Sequence, residues 1–128
     1  MIDLSAEQIL FIHARLIDET GGSHGVRDLG LLLSAIGRPQ ASFDDQDFYS
    51  DLFSKAAALM ESLIRNHPFV DGNKRTGVTA AGLFLLRNRY RLTANNADLV
   101  AITMKFAQSQ SDLEELTIWF RENSQPIE

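Results

Sequence analysis

Apolar residues recur at helical spacing along most of the chain, and this periodicity predicts six α-helices. The first helix begins at Ser5, where Ser5 and Gln8 have the spacing of a capping box, and it stops at Gly21-Gly22. The second helix is short, because Asp28 can cap its start and Pro39 ends it.

The third and fourth predicted helices differ in how their apolar residues are distributed. The third runs from about Asp51, and through Ile64 it keeps the i, i+3, i+4, i+7 spacing of an amphipathic helix. The fourth runs from about Asn73 to Asn88 and is apolar almost all round between Gly77 and Leu86. A helix without a polar face is normally buried, so we expect the fourth helix to lie at the centre of the fold.

The last two predicted helices have narrower apolar stripes. The stripe of the fifth consists of Leu99, Ile102 and Phe106. The sixth begins at the capping box Ser111-Asp112-Leu113-Glu114, and its stripe consists of Leu113, Leu116 and Phe120.

Two segments lack helical periodicity. Residues Gln40 to Asp47 are polar and irregular around Ala41-Ser42-Phe43, which predicts a small β-hairpin or flap. Tyr90-Arg91-Leu92 is expected to be briefly extended. No repeat, low-complexity tract or linker divides the sequence. The sequence therefore predicts an all-α fold: a single domain over residues 1–128, built as a helical bundle around a central buried helix with a small β-hairpin flap.

Composition narrows the class of protein. The 128 residues are 45% hydrophobic and 23% charged, which suits one globular domain with its own core. The absence of cysteine excludes disulfides and cysteine-ligated zinc. No apolar segment approaches the roughly 20 residues of a membrane span, and no secretory signal opens the chain. The net charge of −5 argues against broad nucleic-acid binding, so we expect a cytoplasmic protein that binds neither membrane nor nucleic acid.

The start of the fourth helix is electrostatically unusual. Helix N-termini are positive because their N–H groups lack partners, yet Lys74 and Arg75 fall in the first turn. Each added cation costs about 0.3–1 kcal/mol when exposed, and a bound anion would compensate for it. Gly72 permits a turn that exposes consecutive N–H groups, which together form a phosphate site at a helix mouth.

The neighbouring residues supply the remaining chemistry. Asp71 would be repelled by phosphates unless Mg²⁺ bridges them. Asn73 can orient a phosphate oxygen or tie down the loop. His67, at the end of the third helix, can take a proton from an attacking hydroxyl at neutral pH. Phe69 is expected to be an apolar plug that pins the loop to the core, and the whole constellation predicts phosphoryl or nucleotidyl transfer.

Simpler interpretations apply to some of these residues. His13 and His24 are most simply surface or hydrogen-bonded histidines. Asp-Gly-Asn by itself is a turn and Lys-Arg a solvated pair, but their convergence with His67 at one helix mouth favours a functional site. His67 and Asp71 are too few ligands for zinc, and the chain lacks the G-x-x-x-x-G-K-[ST] phosphate loop.

The segment from His67 to Arg75 resembles the signature of the Fic/Doc family, His-x-Phe-x-(Asp/Glu)-(Gly/Ala)-Asn-(Gly/Lys)-Arg-x-x-Arg, and every position through Arg75 fits. Two upstream runs resemble the Doc, or death-on-curing, branch: Gly25-Val26-Arg27-Asp28-Leu29-Gly30-Leu31-Leu32 and Arg38-Pro39-Gln40. The resemblance covers nearly the whole chain. It implies a Fic/Doc-like helical fold that uses ATP and Mg²⁺.

Carried over position by position, the resemblance assigns a role to each motif residue. His67 would be the catalytic base, and Asp71 would hold Mg²⁺. The phosphates of ATP would bind Gly72, Asn73, Lys74, Arg75 and Thr76. Within the Gln40–Asp47 flap, a target peptide would be aligned by strand-like pairing with Ala41, Ser42 and Phe43.

Two departures from the Fic signature bear on the reaction. Lys74 stands where AMP-transferring members usually have Gly, and Val78 stands where the second Arg of the signature falls. The first change fills space in the phosphate nest, and the second removes a phosphate clamp. Doc-branch toxins share the Lys variant. The resemblance therefore implies that ATP binds reversed and passes its γ-phosphate to a hydroxyl of the translation elongation factor Tu, which arrests translation.

The resemblance also implies how activity is controlled. Fic proteins are often silenced by an (S/T)-x-x-x-E-(G/N) helix in the same chain. The segment Ile118 to Asn123 comes close, but Ile118 replaces the hydroxyl residue, and we expect it in the core. Control in trans is favoured, by a Phd-like antitoxin of a type II toxin–antitoxin pair whose partly disordered C-terminal segment folds into a groove on the toxin.

Three alternatives stay open. The chain could transfer AMP to a protein hydroxyl, although Lys74 and Val78 argue against this reaction. It could be a catalytically silent binding or regulatory module, although His67 and Asp71 are both intact. A helix-turn-helix DNA binder is the weakest alternative, because the charge balance is acidic and no basic recognition face is present.

Overall fold

The computed structural model describes residues 1–108 and 112–128, and within these ranges helices dominate. The six helices are α1 (Ala6–Thr20), α2 (Leu29–Gly37), α3 (Leu52–Asn66), α4 (Asn73–Arg87), α5 (Asn96–Ala107) and α6 (Leu113–Glu122). The strands are β1 (Ser42–Phe43), β2 (Gln46–Asp47), β3 (Tyr90–Leu92) and β4 (Ser124–Pro126). The strands form two antiparallel pairs, β1 with β2 and β3 with β4. The predicted all-α bundle with a small hairpin flap is confirmed, and the pairing of β3 with β4 is an addition.

Side chains cap five of the six helices at their N-termini. The caps of α1, α2, α3, α5 and α6 are Ser5, Asp28, Asp51, Asn95 and Asp112. The predicted capping box of Ser5 with Gln8 at the start of α1 is confirmed. For α6 the cap is Asp112, which accepts a hydrogen bond from the N–H of Glu115 at 2.8 Å, and the predicted cap Ser111 lies outside the described residues. The exception is α4, which begins at Gly72 without a side-chain cap among the described residues.

The second helix ends ahead of Pro39, as the sequence predicts. It stops at Gly37, and a 3₁₀ turn over Arg38–Gln40 continues the chain, with Pro39 buried inside the turn. Proline is tolerated there because the N–H groups of the first residues of a 3₁₀ turn form no hydrogen bond within the turn, so the N–H that proline lacks is not needed.

The core is centred on α3 rather than on α4. Nine consecutive or near-consecutive positions of α3 are buried, and this helix packs against α2, α4, α5 and α6. In α4 the buried stripe includes Thr76, Ala80 and Phe84, but Leu86 is 47% exposed. The expectation that the apolar α4 is the buried centre is therefore wrong in degree, since α3 and α4 pack together at the core and α4 keeps one face open.

The last helix corrects a second expectation. Leu116 and Phe120 of α6 are fully buried, as the stripe predicts, whereas Ile118 is 41% exposed and is not a core residue. Side chains two positions apart on a helix point roughly 200° away from each other, so Ile118 faces away from the stripe that contains Leu116. Of the described helices, none is both long and apolar enough to cross a bilayer.

Candidate active site

The N-terminus of α4 is built as an open anion site. Gly72 adopts a left-handed conformation with φ 79°, which glycine reaches without strain, and its carbonyl accepts the N–H of Thr76 at 2.9 Å. The preceding helical N–H groups lie too early in the helix to have an acceptor within it, and no side chain of residues 1–108 or 112–128 caps them. They are therefore available to a negatively charged group.

A cleft of about 950 Å³ opens at this helix end. It is lined by residues from α1, α3, α4 and α5 and from the loop before α4. Its polar residues include His67, Asp71, Asn73, Lys74 and Arg75, and its apolar wall consists of Leu16, Ile64, Val70, Val78, Leu99, Val100 and Met104. A cleft of this size accommodates a drug-sized molecule.

His67 stands at the edge of the cleft in an uncommon backbone conformation. It follows α3 directly, with φ 53° and ψ 53°, and its side chain is exposed. A non-glycine residue in this left-handed region costs roughly 1–2 kcal/mol, so neighbouring contacts must hold it there. The Nε of Arg27 donates to the carbonyl of His67 at 2.7 Å, and its Nη2 donates to the carbonyl of Asn66 at 2.9 Å.

Residues 23–28 run alongside this loop, and we call them the strap. The N–H groups of Arg27 and Asp28 donate to the carbonyl of Pro68 at 2.7 and 3.1 Å. The N–H of Val70 donates to the carbonyl of Gly25 at 3.0 Å, and Val26 forms an isolated β-bridge with Phe69. The strap thus fixes the loop through its main chain. The sequence singled out Gly25–Leu32 only for its resemblance and gave no sign of these contacts.

Asp71 is held by two main-chain donors. The Oδ2 atom accepts the N–H of Ser23 at 3.1 Å and Oδ1 accepts the N–H of Gly72 at 2.8 Å. The hydrogen bond from Ser23, then that from Gly72, lowers the pKa of Asp71 below its ordinary value, with smaller contributions from the charge of Arg75 and from His13. A Cβ atom at Gly22 would lie 2.5 Å from Oδ2, so only glycine fits beside this carboxylate.

These contacts test whether Asp71 suits Mg²⁺. The carboxylate is ionised at neutral pH, lines the cleft, and keeps a lone pair free on each oxygen after accepting one N–H. Within residues 1–108 and 112–128, no three His, Asp or Glu side chains group together as a metal cage. One carboxylate combined with substrate phosphates is a common way to bind Mg²⁺, so the residues fit this ion.

The buried side chains of Phe69 and Asn73 hold the motif loop on the core. Phe69 is fully buried, which confirms the predicted plug. Asn73 is only 5% exposed; its Oδ1 accepts the N–H of Phe69 at 2.9 Å and its Nδ2 donates to the carbonyl of Phe69 at 3.0 Å. Of the two roles that the sequence leaves open for this side chain, these contacts correspond to tying down the loop.

His13 proves to be part of the same assembly. Its ring stacks on Phe69, with centroids 3.8 Å apart and planes inclined by 6°. Its Nε2 lies 2.8 Å from the carbonyl oxygen of Asp71, which can only accept, so Nε2 carries the proton. The simple interpretation as a hydrogen-bonded histidine is confirmed for His13, and also for His24, which bonds Asp18. A signal for the role of His13 was present, because Ile9, His13 and Ile17 share the inner face of α1.

Lys74, Arg75 and Thr76 differ in their exposure to the cleft. Lys74 is exposed at the cleft, and Arg75 lines the cleft while its Nη1 donates to the hydroxyl of Thr20 and, at 3.3 Å, to the carbonyl of Gly21. Thr76 is fully buried on the core stripe of α4 and does not line the cleft. Its expected role as a phosphate ligand is therefore wrong for the side chain. Its hydroxyl has no hydrogen-bond partner among the described residues.

The flap is a two-stranded antiparallel hairpin. Ser42 pairs with Asp47 and Phe43 with Gln46, and Asp44 and Asp45 form the turn with positive φ angles of 54° and 62°. This is the left-handed pattern that tight hairpins require. Residues 41–47 are not among those that line the cleft. The predicted hairpin is confirmed, and its role toward a target remains a prediction.

The structure is a helical fold in which the N-terminus of α4 carries Lys74 and Arg75, has no side-chain cap among the described residues, and faces a cleft. Residues 3–85 match the Fic/DOC family, and the chain belongs to that family. The match extends from α1 into α4 and so includes the strap, the flap and the motif loop, but not α5, which supplies part of the cleft wall.

Two relatives belong to the Doc branch. The chain is 53% identical over 75 residues to the Toxin Doc of Mycolicibacterium smegmatis, a match that covers 59% of this chain and 58% of the relative. It is 38% identical over 88 residues to the Protein kinase doc of Escherichia phage P1, covering 69% of each chain. The match spans less than two thirds of the mycobacterial relative. Membership of the Doc branch, inferred from the sequence, is confirmed by these relatives.

Proposed function

We propose that this protein is the toxin of a type II toxin–antitoxin pair and acts as an ATP-dependent protein kinase on a Ser or Thr hydroxyl. The observation that carries this proposal is the meeting of His67, Asp71, Lys74 and Arg75 in one cleft at the uncapped N-terminus of α4. The names of the relatives, a toxin and a protein kinase, support it.

The reaction assigns a distinct task to each residue. The imidazole of His67 accepts the proton of the target hydroxyl, whose oxygen then bonds to the γ-phosphorus of ATP while the bond from that phosphorus to the bridging oxygen breaks and ADP leaves. Arg75 and Lys74 neutralise phosphate charge, and the N–H groups at the start of α4 bind phosphate oxygens. Most of the catalysis is therefore positioning and charge stabilisation.

Asp71 is the residue that would hold Mg²⁺. When bound, the ion offsets the negative charge of the phosphates and lets a carboxylate lie beside them. The carboxylate of Asp71 is charged at neutral pH, and its hydrogen bonds from Ser23 and Gly72 lower its pKa further below that range.

The competing reaction, AMP transfer, is less well supported by the cleft. Lys74 occupies the mouth of the phosphate nest, and Val78 contributes an apolar side chain to the cleft at the position where the signature has its second Arg. A triphosphate oriented for attack on the α-phosphate would find one clamp fewer. These two residues favour delivery of the γ-phosphate.

The protein target and the inhibitor come from the Doc relationship. We propose that the target is elongation factor Tu, that its phosphorylation arrests translation in the cytoplasm, and that flap residues Ala41, Ser42 and Phe43 align it. Exposed strands of a hairpin are suited to pairing with an extended peptide. A Phd-like antitoxin acting in trans supplies control, and Ile118, which replaces the hydroxyl residue of the self-inhibitory signature, supports control from outside the chain.

A paired labelling assay tests the proposal. The purified protein is incubated with elongation factor Tu, Mg²⁺ and ATP labelled at either the α- or the γ-phosphate, with His67→Ala as the matched control. We expect label from the γ-phosphate alone, lost in the variant. Label from the α-phosphate would mean AMP transfer, and no label from either position on this target or in a bacterial lysate would contradict the kinase proposal.

A further inference from the structure

One side chain of the strap reaches the joint between α3 and the motif loop. The guanidinium of Arg27 donates from Nε to the carbonyl of His67 at 2.7 Å and from Nη2 to the carbonyl of Asn66 at 2.9 Å. The N–H of the same residue donates to the carbonyl of Pro68 at 2.7 Å. Arg27 therefore holds three consecutive carbonyl oxygens, and the middle one belongs to His67.

The joint needs such a partner for two reasons. The last carbonyls of a helix receive no hydrogen bond from an N–H donor within it, and they form the negative end of the helix dipole, where a cation is favoured. His67 also sits in the left-handed region with φ 53°, which a histidine does not adopt freely. A guanidinium meets both needs at once, because its rigid fork presents two donors in one plane, whereas a lysine presents a single compact charge.

We propose that Arg27 is a positioning residue for His67: it fixes the backbone at residues 66–68 so that the exposed imidazole points into the cleft. The strap supports this role, since the N–H of Asp28 also bonds Pro68 and the carbonyl of Gly25 accepts from Val70. Arg27 itself lies outside the cleft lining and does not touch the phosphate site. The inference rests on the proposed function only in taking His67 as the base.

A positioning role predicts a split between turnover and nucleotide binding. Arg27→Gln removes the charge and the fork, so we expect kcat for transfer to fall about 10- to 100-fold, as displacement of a catalytic group does. The Kd for ATP should stay within about twofold, because the contacts of Asp71 and Arg75 do not involve the side chain of Arg27. Arg27→Lys, which retains charge without the fork, should fall between the wild type and Arg27→Gln.

The matched control is Arg89→Gln. Arg89 also donates to a carbonyl, that of Ile127 at 3.3 Å, but it follows the C-terminal end of α4, roughly 20 Å along the helix from the N-terminal end that faces the cleft. This variant should keep kcat within about twofold. Thermal unfolding of all variants is measured in parallel, so that the assays are run where each is fully folded.

A spectroscopic readout separates positioning from a general loss of structure. The chain has three histidines, and their ring signals in a ¹³C-labelled sample are assigned with His67→Ala. In Arg27→Gln and Arg27→Lys we expect the ring and backbone signals of His67 to shift or broaden while the ring signals of Trp119, in α6 and outside the strap, stay unchanged. Signals of His67 that superimpose on the wild type in both variants would overturn the proposal, as would a kcat that does not change.

Failure of the inference and failure of the proposed function have different signatures. If the wild type transfers no label, the proposed kinase activity fails, and the His67 signals then decide alone whether Arg27 holds that residue. If the wild type is active and both Arg27 variants keep its kcat and its His67 signals, only the positioning role is lost.

Discussion

Two exposed segments of this protein, the motif loop over residues 67–72 and the flap over residues 41–47, are attached to the core in opposite ways. The loop is fixed by main-chain hydrogen bonds to the strap and by the buried side chains of Phe69 and Asn73. The flap has strands of two residues, all of them exposed, and Phe43 at 75% exposure contributes nothing to the core.

The attachment of the flap is polar. Lys55 of α3 is only 2% exposed, and its Nζ donates to the carbonyl of Pro39 at 3.0 Å and to Asp47 Oδ2 at 3.1 Å. Next to it, Arg38 donates to the hydroxyl of Tyr49 at 2.8 Å. Hydrogen bonds thus anchor the flap at the two ends where it joins the rest of the chain, while the side chain of Phe43 does not pack on the core. Under the proposed function, the loop would hold the reacting groups and the flap would present a surface to the protein target.

The strongest test of this division removes the loop's base. His67→Ala is expected to lower transfer about 100- to 10,000-fold, the usual contribution of a general base. Because the His67 side chain is exposed, thermal unfolding should change little, and the Kd for ATP should stay within about twofold. Transfer assays with calorimetric titration of ATP measure both. Full activity of this variant would show that His67 is not the catalytic base.

A second prediction concerns the plug. Phe69→Ala should cost about 3–5 kcal/mol of unfolding free energy, because it empties a fully buried site and removes the ring that His13 stacks on. Denaturant unfolding followed by circular dichroism measures this loss. A cost below about 1 kcal/mol would mean that the loop does not depend on its buried anchor.

The flap's anchor should matter less to the fold. Lys55→Met keeps much of the volume but leaves the carbonyl of Pro39 without its donor, so we expect a loss of about 1–3 kcal/mol. The KM for the protein target should rise while the Kd for ATP does not. Lys105→Met is a fitting control, since Lys105 is half exposed and pairs with Glu115 on the surface, where such pairs contribute little. Equal effects of the two variants would contradict an anchoring role.

Acid should weaken the loop through Asp71. Hydrogen bonds from Ser23 and Gly72 lower the pKa of this carboxyl in the folded state. A lowered folded pKa means that the stabilising contribution is complete above the unfolded value of about 3.9 and is lost as pH falls through the folded value. Unfolding free energies of the wild type and Asp71→Asn, compared from about pH 6 to 3, should converge below about pH 4. Parallel pH profiles would show that these hydrogen bonds do not favour the charged form.

The smallest expected change in stability is that of a substitution in the flap, and it is to be compared with Phe69→Ala. Phe43→Ala removes the same ring as Phe69→Ala, but from a side chain that is 75% exposed, so unfolding free energy should change by no more than about 0.5 kcal/mol. Binding of the protein target, measured by surface plasmon resonance, should weaken. A stability loss comparable to that of Phe69→Ala would erase the contrast between the two segments.

The features that were predictable from the sequence are those encoded within a few residues. Caps such as Ser5, Asp28 and Asp51 act on N–H groups three positions away, and the motif from His67 to Arg75 is continuous. Its residues therefore had to meet at one helix mouth. The hairpin followed from a short polar stretch that cannot form a helix.

The features that escaped prediction depend on distant partners or on the direction of a side chain. The contacts of Arg27 with the loop and the stacking of His13 on Phe69 join segments that no local pattern relates. Thr76 was placed with the phosphate ligands because it follows them in sequence, yet the helix turns it toward Ala80 and Phe84 in the core. Ile118 was placed in the core because it is apolar, yet its neighbours in α6 fill that side.

The strap has a consequence for how this protein is made. The bonds from Ser23 to Asp71 and from Arg27 to His67 span 48 and 40 residues, and Arg75 reaches Thr20 across 55. Closing contacts of such long sequence separation costs loop entropy, which slows folding. During synthesis the first two helices leave the ribosome without a catalytic loop to support. The site at the start of α4 is therefore complete only after α4 has emerged and folded back onto α1.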